Sequence, residues 1–396
     1  MTISIPSRKL YVSLIIVFIS TFNPYLALLL ASILFAYSVV KTQFSNWRFI
    51  LVITPVITML TWGLVLAFYF NYQAWNVSRD FFYFLIFLST LYIGYFLHFL
   101  SNEIKYLILS FSVIFIFKIF SNSLGIISEI GSYGSVNELR DAFGQSGSFT
   151  AAIIFPFLSI LPSPLTWLFL ASVALSFLSF SRNNLLTLFF LLLASNVKYK
   201  VISIFLALAS IPLILSLINS PIVQNYTDKI FHSATEMFDT NIYDKSDAYA
   251  NWRAYERLVV SEHREKISTI EIIFGSGLGS TVISDFPKRT DSTSTEYIYE
   301  IPTFHDSTLF IIVKFGLLGL FLWLIWWLIL SLYAIKGIQR IKEVSKKKKL
   351  LLTLILYTII LISTFTYGYP LMRGAGFETI LLGYLLAKGI HVSEKL

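Results

Sequence analysis

Apolar runs of roughly the twenty residues that cross a bilayer recur along most of this chain, separated by short polar joints. About twelve such runs can be marked, near 10–22, 24–40, 49–70, 81–100, 105–127, 149–162, 164–180, 184–196, 200–219, 306–333, 350–367 and 375–390. The first two fit either two spans or one re-entrant unit. Between the ninth and tenth runs the pattern changes, because residues 220–304 are polar and carry turn signals such as "GSGLGS" and "DFPK". Within that block "NWRAYERLVVSEHREKISTIEI", residues 251–272, holds neither Gly nor Pro and reads as helix. The pattern predicts an all-α polytopic membrane protein. Residues 1–219 supply spans one to nine, 220–304 a large, mainly helical loop domain, and 305–396 spans ten to twelve with a basic loop at 336–349.

Composition agrees with that class. Hydrophobic residues make up 56% of the 396 positions and charged residues only 13%, with a mean hydropathy of +0.74, more apolar surface than one soluble core can bury. There are no cysteines, which excludes a disulfide framework and thiolate chemistry. If the N-terminus is cytoplasmic, the inner connections hold 16 basic residues, among them Arg48, Lys336, Arg340 and the run Lys346 to Lys349, against three acidic ones. The positive-inside rule is thus obeyed, both termini are expected in the cytoplasm, and the net charge of +8 is an orientation signal with no call for nucleic acid. The same topology puts 220–304 outside, with 13 acidic and eight basic residues.

Ionisable groups at span mouths are costly and therefore candidates for function. Four outward-opening mouths carry them: "ELRDAFGQSG" with Arg140, "SRNN" with Arg182, "FHDST" with His305 and Asp306, and "PLMRGAG" with Arg373. On the helix expected at 251–272, Arg253, Arg257 and Arg264 fall within about 40° of one another, a stripe that either grips an anion or is a solvated face laced with Glu256, Glu262 and Glu265. Arginine binds phosphate oxygens bidentately, and a neutral imidazole can take a proton from a sugar hydroxyl. Together they suit glycosyl transfer from a lipid diphosphate donor: His305 as base, Arg140 and Arg182 on the diphosphate, and Arg253, Arg257 and Arg373 as further substrate contacts. Asp306 either orients His305 on the substrate or caps the helix that opens span ten, and the cap is the simpler assignment. Lys314 lies nine residues beyond His305, 180° away on an ideal helix, and stays outside the catalytic set. "GSGLGS" reads as a turn, since no strand–helix unit frames it as a phosphate loop.

The order of these features resembles the Wzy polymerase and O-antigen ligase superfamily. The likeness rests on "FSRNN" closing a span, an arginine helix followed by "FGSGLGS", and "HDSTLFIIVKFGLLG" opening a span, and it runs from about residue 130 to 380. It implies a GT-C-like membrane fold and an inverting, metal-independent transferase without cofactor, acting on undecaprenyl-diphosphate-linked oligosaccharide at the periplasmic face of the bacterial inner membrane. By the motif match the family's diphosphate-binding arginines fall on Arg140 and Arg182 and its essential histidine on His305. Where many members carry Glu nine residues after the histidine, this chain has Lys314, which departs from the pattern. Asp306 and Lys314 favour a polymerase over a ligase that transfers to lipid A core, and a polymerase implies a chain-length regulator as partner. A lipid-linked oligosaccharide transporter is the alternative from another class, but its usual six-plus-six division is absent here.

Overall fold

The computed structural model describes residues 8–41, 46–127, 148–176, 252–289, 297–367 and 376–390. Five helices open the chain: α1 (Arg8–Phe22), α2 (Pro24–Lys41), α3 (Asn46–Tyr69), α4 (Ala74–Leu100) and α5 (Ile104–Ile127). They are followed by α6 (Ser148–Ile154), a 3-10 turn (Phe155–Phe157) and α7 (Ser163–Ser176). The polar block supplies α8 (Trp252–Lys266), α9 (Thr269–Phe274) and a hairpin, β1 (Val282–Arg289) with β2 (Tyr297–Ile301). The final helices are α10 (Ser307–Gln339), α11 (Lys346–Tyr367) and α12 (Phe377–Ile390). Among the described residues, four helical stretches are long and apolar enough to cross a membrane: Trp47–Tyr69, Ala74–Leu100, Ile104–Asn122 and Ser307–Gln339. The chain is a helical membrane protein.

α12 sits at the centre, because every residue from Thr379 to Ile390 is buried. Its neighbours α4 and α10 approach it backbone to backbone, which only missing side chains permit. A Cβ on Gly94 of α4 would stand 1.9 Å from the Ile380 carbonyl oxygen, and one on Gly383 of α12 would stand 1.9 Å from that of Leu91. Gly337 of α10 meets the Leu385 carbonyl and Gly389 meets that of Tyr333 in the same way. α12 is therefore gripped on two sides by paired glycines. α4 and α10 meet directly through edge-on aromatic pairs, Phe84 with Phe315 at 5.6 Å and Phe87 with Trp326 at 5.3 Å.

Three elements differ from the sequence expectation. The run at 149–162 is not one helix: Pro156 lacks an N–H donor, and the chain passes from α6 into a 3-10 turn that is buried throughout. The helix expected at 251–272 is two, because Ser268 accepts from the Glu271 N–H and Glu271 bonds back to the Ser268 N–H, a capping box that starts α9 afresh. The β1–β2 hairpin was not foreseen. It pairs Val282 with Ile301 and Arg289 with Tyr297, with a register shift between Ile283 and Lys288. The runs at 184–196 and 200–219 lie outside the described residues.

Candidate functional site

His305 stands just ahead of α10, whose first turn is capped by Asp306 as Oδ1 accepts from the Thr308 N–H at 2.7 Å. Asp306 is thus the helix cap, and its other oxygen faces the Arg257 guanidinium at 3.9 Å. Burial pushes the Asp306 carboxyl above its ordinary value, opposed by the Thr308 hydrogen bond and by Arg257. Asp306 thereby ties the start of α10 to Arg257 of α8.

The partner of His305 is Glu256. One carboxylate oxygen accepts the His305 backbone N–H at 2.9 Å and the other lies 2.8 Å from ring Nδ1. The Glu256 side chain is 2% exposed whereas that of His305 is 37% exposed. A carboxylate only accepts, so in the neutral ring Nδ1 carries the hydrogen and Nε2 keeps its lone pair. Of the two alternatives for this helix, the solvated face would include Glu256, but the spacing of Glu256 excludes it from that face. Glu256 shares a helix face with Val259, Val260 and His263, and both valines are buried. An acid on an apolar face was the available signal. The arginine stripe divides: Arg253 and Arg257 are half-buried and Arg264 is exposed. Arg140, Arg182 and Arg373 lie outside the described residues.

Behind this mouth the "GSGLGS" segment is buried between the helices. Gly275, Gly277 and Gly279 have φ of 82°, 89° and 85°, the left-handed region that glycine enters without strain. Every amide from Gly275 to Ser280 is engaged by the protein. Ser276 and Gly277 donate to the carbonyls of Val313 and Lys314 at 3.0 and 2.8 Å, and Leu278 to that of Gly63 at 3.0 Å. Gly279 donates to the Asp80 carboxylate at 2.8 Å. No amide is left for a phosphate, so this loop is a structural hub, consistent with the turn expected from sequence.

The hub exists because α10 is broken. Gly316 adopts φ 65°, ψ −161°, which interrupts the ladder at the point where the carbonyls of Val313 and Lys314 would find their partners a turn later. The loop amides take over those carbonyls. Lys314 itself is fully buried and pairs with Asp80 at 2.8 Å, while its ammonium also donates to the Ser280 carbonyl. Asp80 in turn accepts from Arg79 at 2.9 Å. Asp80 was missed in the sequence because α4 starts at Ala74, ahead of the expected run, which carries "SRD" into the helix. Gly316→Ala is expected to lower stability by at least about 1–3 kcal/mol from backbone strain alone, with more from a Cβ 2.5 Å from the Gly275 nitrogen. Thermal unfolding in detergent against the exposed Leu318→Ala checks this, and matching midpoints would refute it.

Fold and site together define a helical membrane protein with a Glu–His pair at the mouth of a broken helix. Comparison with family models and with curated proteins gives no match for this chain.

Proposed function

We propose that the chain is a membrane glycosyltransferase that polymerises undecaprenyl-diphosphate-linked oligosaccharide repeat units at the outer face of the bacterial inner membrane. The observation that carries this reading is the Glu256–His305 pair, a buried acid holding the Nδ1 side of a half-exposed imidazole. His305 Nε2 takes the proton of an acceptor sugar hydroxyl as that oxygen attacks the anomeric carbon of the donor. The bond from that carbon to the diphosphate breaks, and undecaprenyl diphosphate leaves with the electron pair while the configuration inverts. Glu256 stabilises the imidazolium that forms. In this reading Arg140, Arg182 and Arg373 hold the diphosphate, Arg253 and Arg257 border the acceptor side, and about twelve spans in a GT-C-like arrangement seat the lipid tail.

The test is reconstitution of the purified protein with a lipid-diphosphate repeat unit, without added metal and without lipid A core. A ladder of longer lipid-linked glycans is expected. Transfer only after core lipid is added would make the chain a ligase, and absence of transfer to either acceptor would remove the transferase reading and favour a transporter.

A further inference from the structure

At the opposite end of the molecule from His305, α3, α10 and the last turn of α12 enclose a cavity of about 610 Å³. Lys336 lies 29 residues beyond Ser307 on α10, roughly 44 Å along a helix, so the cavity belongs to the other end of the spans. Arg48, Lys336 and Arg340 line it, and no described lining residue is acidic. Arg340 reaches the carbonyls of Lys388 and Gly389 at 3.0 and 2.6 Å, and Arg48 that of Ile390 at 3.5 Å, so both also cap α12. Lys336 instead sits over the Tyr333 ring at 5.4 Å, and no bond of its ammonium to α12 is among those described.

Polarity is graded along the cavity. The cations and Trp47 sit at its outer end, and Leu51, Ile329 and Leu332 form the wall further into the span. From Ile329 to Lys336 is seven residues, about 10 Å of mainly apolar wall ending in positive charge. Trp47, Leu51 and Leu332 are 58%, 57% and 52% exposed, so the cavity opens sideways where acyl chains would lie. A small anion would use the cations and leave that wall without a partner. A neutral lipid would use the wall and offer no anion to the cations at its outer end.

We propose that this cleft binds one anionic phospholipid, its phosphodiester among Lys336, Arg340 and Arg48 and one acyl chain along α3 and α10. Basic pockets between spans at a membrane interface take anionic headgroups for the same electrostatic reason, and interfacial Trp and Tyr flank them. The site is remote from the Glu256–His305 pair and does not depend on its chemistry.

The test is native mass spectrometry of the detergent-purified full-length protein titrated with phosphatidylglycerol, phosphatidylcholine or inorganic phosphate. One phosphatidylglycerol is expected to bind in preference to phosphatidylcholine, with no effect of phosphate up to millimolar concentration. Lys336→Ala, which spares the α12 cap, is expected to weaken it about fivefold, while Lys347→Ala in the neighbouring basic run leaves it unchanged. Thermal unfolding of each variant separates a lost site from a lost fold. Equal binding of the two lipids, an unaltered affinity in a folded Lys336→Ala protein, or competition by phosphate alone would overturn the proposal.

Discussion

Asp80→Ala is expected to lower the unfolding free energy by about 3–5 kcal/mol, the cost of leaving a buried charge without its partner. Both Asp80 and Lys314 side chains are 0% exposed at a separation of 2.8 Å. Removing the carboxylate strands the ammonium in a sealed site and also takes the acceptor from the Gly279 N–H. Lys314→Met is expected to cost less, because Asp80 retains Arg79 and Gly279. The double variant Asp80→Ala with Lys314→Met is expected to recover part of the loss, a coupling of about 0.5–3 kcal/mol. Chemical unfolding in detergent, followed by tryptophan fluorescence, reads all three. A single-variant loss no larger than that of an exposed substitution such as Leu332→Ala would show that this network does not hold the loop against α10.

His305→Ala is expected to reduce polymerisation by about 10²–10⁴-fold, the usual contribution of a positioned general base. Glu256→Gln discriminates more finely. It keeps the shape, but it has one accepting oxygen where the carboxylate uses two and it lacks the charge that stabilises the imidazolium, so turnover is expected to fall by about tenfold or more with KM little changed. The melting temperature should stay near wild type, since the amide oxygen can accept from the His305 backbone N–H while the amide NH2 turns to Nδ1 and favours the ring with its hydrogen on Nε2. Wild-type turnover in Glu256→Gln would reduce that acid to a structural clamp. Wild-type turnover in His305→Ala would end the proposed role of the histidine.

Apolar run length alone located α3, expected at 49–70 and found at Asn46–Tyr69, and α5, expected at 105–127 and found at Ile104–Ile127. It also located the start of α10, where Asp306 announces the cap by its type and position. These are local properties, set by bilayer thickness and by the hydrogen-bonding needs of a helix end, and they are written in consecutive residues. The break within α10 was legible only as "GLLG", because a glycine marks a permitted kink and not an obligatory one.

What the tertiary structure alone decided is which distant groups meet. Asp80 bonds to an amide 199 positions away, and Glu256 reaches a ring 49 positions away. Spacing carries no information across such separations, since the intervening chain can return at any depth or angle. The sequence by itself determined a helical membrane chain with histidine at a span mouth and lysine within the span. Only the packed structure determined that the histidine is held by Glu256, and that the lysine serves the core by neutralising Asp80 beneath a loop whose amides replace the missing turn of α10.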